Sequence, residues 1–255
     1  MTAPADILLD ATGATVDPAE IARFSKVAEE WWDPEGNFAP LHRLNPTRLA
    51  YLRERLGHRF GRDDDSLQPF TGLRLLDIGC GGGLVAEPMA RLGFAVTGID
   101  AAGKSLKIAQ AHALSGGLTI DYRAATAEAL ADSGEQFDVV LGLEVIEHVT
   151  ELEAFFDAIR RLVRPNGAVV ISTINRTLKS LALAKIGAEY VLRWVPRGTH
   201  DWKKFLRPSE TAGYCRGAGL VVDDLRGMSF EPLTGSWRLS RDLDVNYVLT
   251  AYPEA

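Results

Sequence analysis

The sequence predicts an α/β fold: a doubly wound, mostly parallel sheet of seven strands, with an N-terminal helical cap and a helical insertion before the sixth strand. Three observations predict it. Short runs at 73–78, 95–99, 118–122, 137–143 and 168–173 are apolar on both faces, as strands covered on both sides must be. Between them, 85–92, 102–114 and 152–163 repeat apolar residues at helical spacing. The first run also ends in a glycine-rich turn, the position at which such sheets bind ligands.

The remaining elements follow in chain order. Residues 1–18 read as a loose tail. Its acids Asp6, Asp10 and Asp17 stand without a single basic residue, which excludes a secretory or mitochondrial leader. A cap at 19–57 begins with a helix, because Ile21, Phe24, Val27, Ala28 and Trp31 recur on one face. Asp33-Pro34-Glu35-Gly36 breaks it, and Asn45-Pro46 predicts the start of a second helix running to about residue 56. Residues 57–71, with Asp63-Asp64-Asp65, read as a solvated loop. Segments 221–226 and 245–252 add two late strands, the last alternating like an antiparallel edge. With 255 residues the chain can fill one large domain. The net charge of -6 argues against a nucleic-acid partner. Two cysteines, Cys80 and Cys215, make neither a disulfide framework nor a zinc site. No apolar run is long enough to span a bilayer, which predicts a cytoplasmic protein.

The glycine turn reads Leu76-Asp77-Ile78-Gly79-Cys80-Gly81-Gly82-Gly83. Glycine lets a backbone approach a ligand that a Cβ would obstruct. A dinucleotide fingerprint requires a further glycine or alanine where Leu84 stands, and there is no phosphate-loop lysine. The next strand ends in Asp100, which lies 21 residues beyond Gly79 and is placed to accept both ribose hydroxyls of an adenosine. Loop, acid and fold together resemble the class I S-adenosylmethionine-dependent methyltransferases. That resemblance sets Asp77 near the methionine amino group, Gly79 and Gly81 under the cofactor, and Leu143 beside the adenosine.

After the fourth strand comes Glu144-Val145-Ile146-Glu147-His148. If this segment is helical, Glu144, Glu147 and His148 share one face. Two carboxylates and an imidazole suit a divalent cation such as Mg²⁺, Mn²⁺ or Zn²⁺. Such an ion would lower the pKa of a phenol, ordinarily about 10, while His148 took the proton. The competing reading is that the Glu-His pair orients a loop and binds no metal.

Further motifs narrow the family. Trp31-Trp32-Asp33, Pro40-Leu41-His42, Asn45-Pro46 and Arg48 stand in the cap, with Ala188-Glu189-Tyr190 and residues 198–205 in the insertion. In this order, over about 21–252, they resemble the ubiquinone-biosynthesis O-methyltransferases. The resemblance implies methylation of a polyprenyl catechol and of demethylubiquinol, with Arg48, Gly79, Asp100 and Leu143 contacting S-adenosylmethionine. It leaves open a place in a complex with other enzymes of ubiquinone biosynthesis. Read alone, Arg48 is either a surface charge or a two-pronged partner for the methionine carboxylate.

The insertion at 176–206 has its own signature. Segment 179–204 holds six basic residues (Lys179, Lys185, Arg193, Arg197, Lys203, Lys204) against Glu189 and Asp201, in an otherwise acidic chain. On a helical wheel Lys185, Glu189 and Arg193 form a strip beside an apolar face that includes Ile186, Tyr190 and Trp194. Two readings fit: a lid over the active site, or a contact with anionic lipid. A membrane-dwelling polyprenyl substrate favours both at once, and with it a protein held peripherally at the cytoplasmic face of the membrane.

Overall fold

The computed structural model describes residues 13, 15–62, 65–182, 202–232 and 234–254. Most of the insertion, including Lys185, Arg193, Trp194 and Arg197, lies outside the described residues. The sheet holds eight strands rather than seven, in the order β3-β2-β1-β4-β5-β8-β6-β7. These are β1 Arg74–Ile78, β2 Ala95–Asp100, β3 Asp121–Ala124, β4 Phe137–Leu143, β5 Val163–Ile174, β6 Leu220–Glu231, β7 Ser236–Ser240 and β8 Asn246–Pro253. The first five pair in parallel, while β8 and β7 run antiparallel to their neighbours. The added strand, β7, is too short and polar to announce itself. It forms by pairing Trp237 with Phe230 across a hairpin. β8 is antiparallel as expected but not an edge: it lies between β5 and β6 and is buried along most of its length.

The two-faced apolar runs behave as strand geometry requires. Successive side chains alternate, so Leu75, Val139, Leu141 and Val170 enter one core while Leu76, Val140, Val169 and Ile171 enter the other. Helices cover both faces: α2 Ala39–Phe60, α3 Ala86–Arg91 and α4 Gly103–Ser115 on the first, α5 Ala127–Asp132, α6 Leu152–Leu162 and α8 Pro208–Gly217 on the second. α5 and α8 carry weak apolar periodicity and were not expected. The described residues also include the helices α1 Pro18–Val27 and α7 Leu178–Ser180, and the 3₁₀ turns Ala28–Glu30, Ile146–His148 and Trp202–Lys204.

α2 starts earlier than predicted. Pro40 occupies its first turn, and Pro46 is carried inside the helix. There the missing N–H leaves the His42 carbonyl without its helical partner, while Asn45 turns its amide to Leu84 O at 2.7 Å. The helix ends at Gly61, whose φ of 58° is left-handed. The expected tail also ends sooner: Val16 bridges Val149, and Thr15 O accepts from Thr150 N.

Because β1 and β4 are neighbours from opposite halves of the winding, their carboxyl ends open a crevice. α2 roofs it. Tyr51 anchors this roof, its hydroxyl bonding Thr250 Oγ1 at 2.8 Å and Asp224 Oδ2 at 3.0 Å from full burial. Tyr51→Phe should cost about 1–2 kcal/mol. That corresponds to a fall in Tm of roughly 2–8 °C for a chain of this size, measured by thermal unfolding.

Candidate functional site

A cavity of about 590 Å³ occupies the crevice, and Asp77, Gly79, Asp100, Leu143, Glu144, Glu147 and His148 all line it. These residues, singled out by the sequence, therefore line one cavity. Their internal arrangement differs from the one expected.

The loop after β1 folds back on β2: Gly79 and Cys80 donate to Ile99 O at 2.8 and 3.1 Å. Gly81 N donates to Asp100 Oδ2 at 2.9 Å, and Ala102 N to Oδ1 at 2.7 Å. Asp100 thus holds the loop as well as lining the cavity. Gly81 has φ +52°, and a Cβ there would sit 2.3 Å from the Trp31 ring; at Gly82 the gap would be 2.4 Å. The glycines make room for the cap's own indole, a need the sequence reading had assigned wholly to a ligand. Trp31 lies stacked on Phe38 and donates to Ser105 Oγ at 3.1 Å, while Trp32 donates to Gly82 O at 2.9 Å.

Asp77 is buried at the floor, and its Oδ2 has no hydrogen-bond partner. Burial pushes its pKa up to about 7; Arg48 opposes the rise and Asp100 adds to it. Arg48 reaches over from α2, 4% exposed, with Nη2 3.3 Å from Glu144 Oε1 and its buried Nε unpartnered. A carboxylate and a guanidinium, each with hydrogen-bonding capacity to spare, face one cavity.

The Glu-x-x-Glu-His face does not form. Glu144 has a left-handed φ of 56°, and only Ile146–His148 are helical, as one tight 3₁₀ turn. Glu144 Oε1 accepts from Ser172 Oγ at 2.7 Å, whereas Glu147 Oε2 accepts from Thr173 Oγ1 at 2.8 Å. Ser172 and Thr173 are consecutive on β5 and project to opposite faces, so each draws one acid its own way. Burial, then the neighbouring Glu144, pushes Glu147 well above the carboxylate range. His148 Nδ1 lies 3.1 Å from Glu20 Oε2 on α1. Among the described residues no group of three or more His, Cys, Asp or Glu is placed to hold a metal ion.

Other lining residues are apolar: Ile21 and Phe24 of α1, Leu41 and Leu44 of α2, and Met228, Phe230 and Trp237 of the β6–β7 hairpin. None of these had been assigned to the site. Only the helical spacing of Ile21 and Phe24 hinted at a buried face. At the rim, Lys179 pairs with Asp242 at 2.6 Å and Asp244 at 3.3 Å, and Lys204 with Asp17 at 3.6 Å.

The burial of Asp77 has a measurable sign. Its folded pKa of about 7 lies above the ordinary 3.8, so the unfolded chain loses this proton first. Stability from this group is whole below pH 3.8, and is lost as pH rises to 7. Asp77→Asn should therefore raise the Tm of the ligand-free protein at pH 8, by roughly 2–4 °C for each kcal/mol relieved, and by less at pH 5.

Residues 41–225 match the family model described as a methyltransferase domain. The ubiquinone biosynthesis O-methyltransferase of Chelativorans sp. (strain BNC1) is 53% identical over 242 residues, covering 95% of this chain and 96% of the relative. That of Parvibaculum lavamentivorans is 56% identical over 241 residues, covering 94% and 95%. Among solved structures, magnesium protoporphyrin IX methyltransferase from Synechocystis PCC 6803 with bound SAH superposes with a TM-score of 0.61 at 19% identity, covering 91% of this chain and 94% of that one. At that identity the likeness is one of fold. The sequence identity to the curated relatives places this chain in the ubiquinone biosynthesis O-methyltransferase family.

Proposed function

We propose that the chain methylates phenolic oxygens of polyprenylated ubiquinone precursors, a catechol and a demethylated ubiquinol, using S-adenosylmethionine. The observation that carries this reading is the buried Asp77–Arg48 pair, with Asp77 Oδ2 and Arg48 Nε both unpartnered in the cavity that also holds His148. An amino acid's ammonium and carboxylate are the complement of such a pair. The names of the relatives at over 50% identity supply the acceptor class.

Each residue then has a task. When bound, the cofactor supplies an electrophilic methyl group on a positively charged sulfur. Asp77 binds the ammonium, and Arg48, steadied by Glu144, binds the carboxylate. Asp100 accepts the ribose hydroxyls, and Leu143 packs beside the adenosine. The apolar wall of Phe24, Leu41, Met228 and Trp237 takes the acceptor ring and excludes water. His148 removes the phenolic proton as the oxygen takes the methyl group, which a phenol of pKa about 10 requires near neutral pH. With that cofactor bound, the phenolic oxygen would gain the methyl group as the methyl–sulfur bond broke, leaving a neutral thioether.

A resident divalent ion does not fit the donors as they stand. Among the described residues no three His, Cys, Asp or Glu side chains are placed to share one; Glu144 is turned to Arg48 and Ser172, Glu147 to Thr173, and His148 to Glu20. The decisive assay is methyl transfer to a demethylubiquinol, with and without EDTA. His148→Ala should lower kcat by about 10²-fold or more, and EDTA should leave the wild type active. Loss of activity in EDTA, restored by Mg²⁺, would overturn the metal-free reading.

We also propose that segment 179–204 meets anionic lipid where the polyprenyl tail enters. Among the described residues no helix is long and apolar enough to cross a membrane. Lys179 and Lys204 are engaged in internal ion pairs, so this reading depends on cations outside the described residues. The protein should float with anionic liposomes, and Trp194→Glu should weaken both flotation and activity on long-tailed substrate. A protein that stays at the bottom sinks the idea.

A further inference from the structure

His148 is gripped from one side by a single helix. Asp17 caps α1, accepting from Ala19 N at 2.9 Å, and Pro18 opens its first turn. Glu20 and Phe24 lie four residues apart, on one face of that helix. Both touch the imidazole. Glu20 Oε2 is 3.1 Å from Nδ1, and the Phe24 ring meets the histidine edge-on, at 5.3 Å between centroids and 87° between planes. Arg23 and Lys204 steady the carboxylate, Arg23 through Oε2 and Lys204 4.0 Å from Oε1. Burial raises the pKa of Glu20, but the His148 hydrogen bond, with the charges of Arg23 and Lys204, outweighs it and lowers the pKa overall. Glu20 is therefore an anion at neutral pH.

An ionised carboxylate can only accept, so the proton of this contact belongs to Nδ1. A neutral imidazole with its proton on Nδ1 has its lone pair on Nε2. No hydrogen bond to Nε2 occurs among the described residues, and His148 lines the cavity. We infer that Glu20 is a positioning residue for methyl transfer: its carboxylate and the Phe24 ring fix the tautomer and orientation of His148, so that Nε2 is the atom offered to the acceptor. This rests on the proposal that His148 takes the phenolic proton. It goes further in making the N-terminal helix part of the catalytic apparatus. α1 also lines the cavity through Ile21 and Val27, and the chain just beyond it packs Trp31 on the glycine loop. One short segment thereby touches both halves of the site.

The test separates the inference from the reading beneath it. ¹⁵N-histidine NMR of the full chain with S-adenosylhomocysteine reports the tautomer, with the His148 signal assigned by its absence in His148→Ala. The wild type should show the Nδ1–H form. Glu20→Ala should lose that preference and lower kcat about 10- to 100-fold, the scale known for outer partners that orient a ligating histidine, with KM for S-adenosylmethionine within twofold. Glu20→Gln, whose amide oxygen still accepts from Nδ1–H, should restore the tautomer and most of the rate. If Glu20→Ala keeps both tautomer and kcat while His148→Ala is inactive, the positioning role is overturned and the base assignment stands. If His148→Ala keeps wild-type kcat, the base assignment fails and the inference falls with it.

Discussion

A carboxylate buried without a donor must be given a positive charge or a proton, and Asp77 is such a carboxylate. The β1 backbone fixes its place, since the strand pairs on both sides and cannot shift. Arg48 supplies part of the compensation from α2 but shares its guanidinium with Glu144. The site therefore rests on an incomplete balance of charge, which a ligand carrying both signs completes. Binding such a ligand draws the proton off Asp77 at neutral pH, so affinity and proton release are linked. The glycine turn, the Asp100 tether and the α2 roof all serve to keep this pair apart from water.

The fold was legible because its signal is redundant. Strands apolar on both faces and a turn of three successive glycines specify a doubly wound sheet, and the crevice follows from topology alone. What escaped was local and short. β7 has five residues and exists through its pairing with β6. α8 starts at Pro208, where Glu210 reaches back to accept from Arg207 N at 2.7 Å; no strong apolar stripe marked it. The helix start was misplaced because Asn45-Pro46 matches the rule for a beginning, while Pro40 satisfied the same rule six residues earlier.

The site divides in the same way. Asp77, Asp100 and Leu143 were readable because strand ends in this fold have fixed neighbours. Glu144, Glu147 and His148 line the same cavity, but their shared face depended on an assumed helix, and one left-handed residue removed it. Glu20 was invisible as a partner of His148, since 128 residues separate them and nothing in the spacing of either predicts the contact. Trp31 carried a motif but no role until its ring was seen against Gly81 and Gly82.

The alternation along β5 has a consequence for how such sites change. Ser172 holds Glu144 and Thr173 holds Glu147 only because consecutive strand residues differ in parity. Two acids three residues apart are sorted by an odd and an even position, and the pairing of Ser172 with Leu143 and Val248 locks that assignment. Substituting either hydroxyl is a graded change, whereas a one-residue insertion or deletion in β5 exchanges the two holders at once. The charge layout of this pocket is thus tolerant of point substitution but not of frame, and variation within the strand is confined to replacement at fixed length.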